Sequence, residues 1–358
     1  MSIKIIQIDL STEDLSLIDF LNINVNDNIR HHTFKWQYTE APHDVIFFMV
    51  KDDDKIISTA SFIPYSLLFD KEFFLTAKGE SFFLDPDYRS TPIFPAVYKK
   101  GLIECEKKNM SVVWGFSPIY KFFLGKTLFH VYGDIMFDFR AIVGMKKLSD
   151  FSFDSQIILR YPKHLASFLI SGFLHWKSKM ISGYKSKINE YSVKEKLPDT
   201  SLINDLFAKI PGVENIVRLD MDNSFLEWRV YNNPNLIYKT HFFFKNNVLE
   251  GFYFYSINEK KLCVQLVEFV FINNNTGNVM ACHLINKMKK EKASFLEYFG
   301  NIKNKVNLMA FSILQKHIFG KIYLNKGMDF IQKITPETKN FPIENWYING
   351  LWTQGYDR

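Results

Sequence analysis

Short runs of alternating apolar and polar residues dominate the first third of the chain. Ile3 to Ile8 read as a strand, and Ser11-Thr12-Glu13-Asp14 as the cap and acidic first turn of a short helix through Phe20. A polar-aromatic segment, His31 to Tyr38, closes at Glu40-Ala41-Pro42. Two extended runs, 45–52 and 55–69, flank the charged turn Asp52-Asp53-Asp54 and predict an antiparallel hairpin. A further strand pair, 73–79 and 80–85, leads into a tight acidic turn. From Pro92 to Lys108 the positions Ile93, Val97, Gly101, Leu102 and Cys105 recur at helical spacing, with lysines on the opposite face. Residues 111–116 read as a buried strand, 120–124 as a short helix ended by Gly125, and 130–142 as extended chain.

The pattern weakens between Lys146 and Asp199 into a connector with two helical stretches, 164–180 and 185–196. Beyond it the chain repeats itself in outline. Phe34-Lys35-Trp36-Gln37-Tyr38 before Pro42 matches Leu226-Glu227-Trp228-Arg229-Val230 before Pro234. Glu80-Ser81-Phe82-Phe83-Leu84 matches Glu268-Phe269-Val270-Phe271-Ile272, and a polar turn and a Lys-rich helix follow each. Trp and Glu are 44 residues apart in one half and 40 in the other. The expectation is an α/β (α+β) protein of tandem modules, each a mixed, mostly antiparallel sheet flanked by helices. The modules span 1–145 and 200–358, with 146–199 as helical connector. The second loop, Asn273-Asn274-Asn275-Thr276-Gly277, has no arginine, so only the first module is expected to bind a cofactor.

Composition narrows this further. At 47% hydrophobic, with 36 Phe and 17 Tyr, the chain can fill two cores. A net charge of +6 spread over scattered lysines argues against a nucleic-acid binder, which concentrates positive charge in a stripe or tail. Three widely spaced cysteines suggest free thiols. The N-terminal residues lack a signal-peptide core, and the apolar run 45–50 is too short to cross a bilayer, so the expected location is the cytoplasm, without stable membrane association. No HExxH, paired CxxC or ligand-spaced acidic cluster points to a metal.

The chemistry concentrates in residues 79–100. An extended segment, a tight turn and a helix entrance holding Arg89, Ser90 and Thr91 suit an anion, because exposed amides and the helix dipole both favour negative charge. The plainer alternative makes Asp85-Pro86-Asp87 a β-turn and Ser90-Thr91 an ordinary cap. The run Asp85-Pro86-Asp87-Tyr88-Arg89-Ser90-Thr91-Pro92-Ile93-Phe94 resembles the acetyl-CoA-binding signature of the GNAT (GCN5-related) N-acetyltransferases. Trp114-Gly115-Phe116-Ser117-Pro118 and the segment 122–129 resemble that family's next strand and its following short helix. Pro92 and Phe94 stand where the family has small residues.

The resemblance implies an acyl-CoA co-substrate (acetyl-CoA or a short hydroxyacyl-CoA) held by Phe82, Phe83, Leu84, Arg89, Ser90, Thr91, Ile93, Phe94 and Ser117. It implies Glu80 as general base or amine-orienting carboxylate and Tyr120 near the position of a general acid; apart from the resemblance, His32, beside the Trp36 segment, is a candidate base at a cleft between modules. The terminal aromatic run through Trp346, Tyr347, Trp352 and Tyr356 resembles two-domain members that acylate amino sugars for bacterial surface polysaccharides such as lipopolysaccharide. By that likeness the acceptor is a dTDP- or UDP-linked amino-deoxy sugar, attacked in a ternary complex, with the second module contributing to the acceptor cleft and a homodimer left open. Two other readings are an aminoacyl-tRNA-dependent transferase acting on a peptidoglycan precursor and a non-catalytic ligand-binding protein.

Overall fold

The computed structural model describes residues 3–10, 15–24, 31–69, 71–117, 130–133, 135–142, 184, 186–197, 199–258, 262–324, 329–334 and 341–352. Two compact units form, and neither is one continuous stretch. The first comprises Met1–Ile135, Asn215–Asn235 and Lys326–Trp346; the second comprises Met136–Glu214, Leu236–Asn325 and Tyr347–Arg358. These units do not divide at 145 and 200, and the stretch 146–199 belongs to the second. Residues 136–145 fall in the second unit, whereas 215–235 and 326–346 fall in the first.

In the first unit, β1 (Ile3–Gln7), β2 (Ile46–Asp52), β3 (Lys55–Phe69), β4 (Glu72–Leu84), β5 (Val112–Ser117), β15 (Asp329–Ile334) and β6 (His130–Tyr132) follow one another across a sheet. The two-residue β9 (Arg218–Leu219) adds to β3. Every pairing is antiparallel except β4 with β5. The strand pair expected at 73–85 is a single thirteen-residue strand, β4. No turn interrupts it, because Gly79-Glu80 remains paired with Ser61 and Phe62 of β3.

Side chains alternate across this sheet, as the pleat requires. One face carries Ala60, Phe62, Ala77 and Val113 under the helix α3 (Ile93–Lys107), whose Ile93, Val97, Tyr98 and Cys105 complete the core. The other carries Tyr65, Thr76, Lys78 and Trp114, all buried. Two further helical pieces belong to this unit: α1 (Leu15–Asn24) and the one-turn α2 (His31–Phe34), which runs into a π-helical turn Lys35–Thr39. The one-turn α5 (Asn223–Leu226) repeats the arrangement, running into the π-turn Glu227–Tyr231.

The second unit has a seven-stranded sheet in the order β14 (Phe319–Leu324), β7 (Met136–Ile142), β13 (Phe295–Asn301), β12 (Cys263–Phe271), β11 (Val248–Asn258), β10 (Lys239–Lys245) and β8 (Ser192–Lys194). Here too one pair is parallel, β12 with β13. The helices α6 (Asn274–Lys290) and α7 (Lys305–His317) cover its core, and α4 (Ser201–Lys209) packs along β11. Each unit is therefore a mixed, mostly antiparallel sheet with flanking helices. The stretch expected as a basic helix at 185–196 ends early, since Ser192–Lys194 pair with β10 as a strand. Residues 146–183 lie outside the described part. Among the described residues no helix is long and apolar enough to cross a membrane.

Candidate functional site

The parallel ladder between β4 and β5 is only three residues long. It joins Thr76 to Val112, Ala77 to Val113 and Lys78 to Trp114, while the strands continue to Leu84 and Ser117. Every residue from Gly79 to Leu84 is half-buried rather than buried. Opposite this stretch the ladder with β3 slips, so that Ser61 faces Glu80 but Thr59 faces Phe83. That bulge places Ser81 at a φ of 50°, a left-handed conformation that a serine adopts only when its surroundings enforce it.

Three hydroxyls of β3 supply that enforcement. Ser58 donates to the Phe83 carbonyl (2.6 Å), Thr59 to that of Ser81 (2.8 Å) and Ser61 to that of Glu80 (2.8 Å). The hydroxyls of Tyr38 and Ser81 share a short hydrogen bond. Burial raises the Tyr38 pKa well above the ordinary phenol value, so the hydroxyl remains neutral. A bulge departs from the regular ladder and re-aims its backbone groups. Here the carbonyls of Glu80, Ser81 and Phe83 are satisfied by side chains of β3.

Glu80 forms an ion pair with Lys78, with the carboxylate side chain 20% exposed and the lysine side chain 3%. Beneath the bulge, Phe82 stacks on Tyr98 of α3 (4.6 Å between centroids, 22° between planes) and meets Phe62 and Phe94 edge-on. Phe94 thus turns its ring toward Phe82 and Tyr98, while Phe83 packs on Phe20 at 5.4 Å.

After Leu84 the chain enters a tight turn. Asp85 accepts from the Asp87 amide (3.0 Å) and pairs with Lys55 (2.8 Å), so its carboxyl is held below the usual range, chiefly by the lysine. The Tyr88 hydroxyl donates to Asp52 at 2.8 Å. Thr91 turns both its amide (3.0 Å) and its hydroxyl (2.6 Å) to the Tyr88 carbonyl. No side chain caps α3 at Pro92. Pro92 and Pro95 have no N–H, and the Ala96 amide is taken by the Pro92 carbonyl at 3.0 Å. Arg89 and Ser90 are exposed beside this entrance. A guanidinium and a hydroxyl at a positive helix end can hold an anion.

The structure brings Glu80, Phe82, Phe83, Leu84, Arg89, Ser90, Thr91, Ile93 and Phe94 onto one strand, turn and helix entrance. Ser117 ends β5. His32 is exposed on α2. Tyr120 and Tyr356 lie outside the described residues. Trp346, Tyr347 and Trp352 are fully buried in packing rather than exposed as stacking surfaces. Among the described residues no group of three or more His, Cys, Asp or Glu is placed to hold a metal ion. Sequence reasoning missed Lys78, Tyr38 and Pro95. The signal for Lys78 was present, as a charge two residues before Glu80 inside the otherwise uncharged run 73–84.

The second unit repeats this layout and closes it. The parallel ladder of β12 with β13 ends at Leu266 and Tyr298, the neighbouring ladder slips between Phe254 and Tyr255, and Glu268 stands two residues past the last parallel pair, as Glu80 does. Here, however, every residue of β12 is buried. Residues Tyr347–Trp352 lie against it: the Gly350 amide donates to the Val267 carbonyl (3.2 Å), the Tyr347 hydroxyl donates to Glu268 (2.7 Å), and the Asn349 amide donates to the same carboxylate. A Cβ on Gly350 would lie 2.8 Å from Val267, so only glycine fits this approach. The helix entrance is closed as well, because Asn273 caps α6 by accepting from Thr276 (3.0 Å).

No protein-family model and no curated relative matches this sequence. Among solved structures, the fold is similar to a probable N-acyltransferase of Enterococcus faecalis (TM-score 0.59, 11% identity, 93% of this chain and 72% of that one). It is similar to a GCN5-related N-acetyltransferase from Anabaena variabilis (0.58, 8%, 93% and 73%). It is also similar to Saccharomyces cerevisiae N-myristoyltransferase with bound myristoyl-CoA (0.57, 11%, 97% and 89%). The chain thus has the fold of the GNAT-type acyltransferases over most of its length.

Proposed function

We propose that the protein is an acyl-CoA-dependent N-acyltransferase whose donor site is the first unit's bulge, turn and helix entrance. The observation that carries this reading is the contrast between the two units: one site is half-open and uncapped, and its counterpart is filled and capped by the chain itself. The fold's likeness to acyltransferases supports the same class.

In this reading Arg89, Ser90 and the Ile93 and Phe94 amides hold the pyrophosphate, and the amides around Phe82–Leu84 stabilise the thioester oxyanion. Glu80 accepts the amine proton, directly or through water, as the amine attacks the thioester carbon and the thiolate departs. Tyr120 remains the proposed donor to that thiolate, Ser117 a contact to the pantetheine arm and His32 an alternative base. The proposed acyl group is short, acetyl or hydroxyacyl, a reading supported by the four packed rings beneath the bulge. The proposed acceptor is the amine of a dTDP- or UDP-linked amino sugar of surface-polysaccharide synthesis, in the cytoplasm. This assignment rests on the sequence resemblance of the terminal aromatic run.

Calorimetric titration with acetyl-CoA tests the core of the proposal. Binding is expected in the wild type. In Arg89→Ala it weakens about tenfold, the scale of one charge-assisted hydrogen bond, with an unchanged melting temperature. No heat of binding to any CoA thioester at millimolar concentration would remove the reading. Mass-spectrometric screening of acyl-CoA donors against nucleotide-linked amino sugars tests the acceptor.

A further inference from the structure

The first unit buries a lysine for which the donor site, as described, has no use. Lys78 is 2% exposed, its ammonium lies 6.0 Å from the centroid of the fully buried Trp114, and its partner is Glu80. Burying an ammonium costs hydration that one ion pair rarely restores in full. Burial accordingly pushes the Lys78 pKa down, the nearby Arg229 pushes it further down, and Glu80 opposes both.

The second unit is an internal control for what this fold needs here. At the position equivalent to Lys78, the last residue of the parallel ladder, it has Leu266. Its carboxylate, Glu268, is fully buried and satisfied by neutral donors, the Tyr347 hydroxyl and the Asn349 amide. The architecture therefore does not require a cation at this point of the strand. The cation occurs in the unit whose carboxylate can be reached from solvent.

We propose that Lys78 is a positioning residue for acyl transfer: from behind Glu80 it supplies the counter-charge and fixes the carboxylate toward the cleft where the acceptor amine loses its proton. This rests on the reading of the first unit as the donor site. The groups facing Glu80 among the described residues come from three elements. Lys78 of its own strand pairs with the Glu80 carboxylate, the Tyr38 hydroxyl of the first π-turn interacts electrostatically with it, and Arg229 of the second π-turn acts on the pair through Lys78, whereas the Ser61 hydroxyl is bound to the Glu80 carbonyl and that of Ser81 to Tyr38. Lys78 is the one among these that forms an ion pair with the carboxylate.

The test follows the carboxyl carbon of Glu80 by NMR in full-length protein labelled at glutamate, with Glu80→Gln assigning the resonance. In Lys78→Leu, which imports the residue of the second unit, the Glu80 titration midpoint moves to higher pH; in Lys78→Arg it returns toward the wild-type position. A midpoint that stays in place in Lys78→Leu overturns the proposal. Should that variant not fold, Lys78→Gln takes the same measurement with the same two outcomes. Acetyl-CoA affinity of the wild-type sample separates the two readings. Absent binding overturns the donor site, and intact binding with an unmoved midpoint overturns the role of Lys78 alone.

Discussion

Gly101 is a residue whose missing side chain has a measurable consequence. A Cβ there would lie 2.0 Å from the ring of Phe62, inside the core between α3 and its sheet. Phe62 in turn braces Phe82 and Tyr98 under the bulge, so the ring has nowhere to go. Gly101→Ala is expected to cost about 1–3 kcal/mol, the usual range for overpacking, read as a lower urea midpoint. Asp220 makes a prediction of opposite sign. Burial, with Asp222 adding and Arg218 opposing, pushes its carboxyl from 3.8 to about 6. The folded chain then holds that proton more tightly than the unfolded chain does. Its contribution is fully present below about pH 4 and lost as pH rises through about 6. Asp220→Asn should therefore stabilise the protein at pH 7 by about 1–2 kcal/mol, after discounting for partial exposure, and leave it unchanged near pH 4. Equal urea midpoints for variant and wild type at pH 7 would contradict this.

At the scale of elements, the repeated Trp segments do more than resemble each other. Both form the same short helix and π-turn within the first unit, and their indoles exchange bonds: Trp36 Nε1 donates to the Trp228 carbonyl and Trp228 Nε1 to the Trp36 carbonyl, each at 2.7 Å. The rings lie 5.7 Å apart, with the Arg229 guanidinium 5.5 Å from Trp36. Trp36→Phe leaves a buried carbonyl without its donor, for an expected loss of about 1–3 kcal/mol in unfolding free energy. The double variant with Trp228→Phe should fall short of the sum of the singles, since each removes half of a reciprocal contact. The repeat and the carboxylate pair Glu80 and Glu268 were legible because Trp, with six in the chain, is rare enough to mark positions. The sheet class was legible from alternation. Which strand joins which sheet was not, because β7 and β15 are generic apolar runs whose partners are set by distant chain. The open or closed state of each site was equally hidden. It depends on where residues 347–352 pack, and their aromatic content reads alike for a core and for a ligand platform.

Across the whole molecule the two units carry opposite pH responses. In the second unit, His241 on β10 and His283 on α6 have ring centroids 5.1 Å apart, and Tyr253 donates to His283 Nδ1 at 2.7 Å when that nitrogen is unprotonated. Burial, reinforced by His283, Lys287 and Lys239, pushes His241 from 6.5 to about 3, while burial with Lys287 and Lys290 pushes His283 to about 4. Both are neutral when folded. Their contribution is complete above about pH 6.5 and is lost as pH falls toward 3–4, because the unfolded chain takes up the protons first. By pH 5 each histidine should have withdrawn about 1–2 kcal/mol from the second unit, whereas Asp220 acts in the other direction on the first. Hydrogen exchange compared at pH 7 and pH 5, corrected for intrinsic rates, is the measurement. Amides of α6, β10 and β11 should lose protection at pH 5, while those of β3 around Ser66, which accepts from the Asp220 amide at 3.0 Å, should keep theirs. His241→Phe should remove about half of the second unit's loss. A uniform fall in protection across both units would mean that their stabilities are not separable, and the site in the first unit would then share the acid sensitivity of the second.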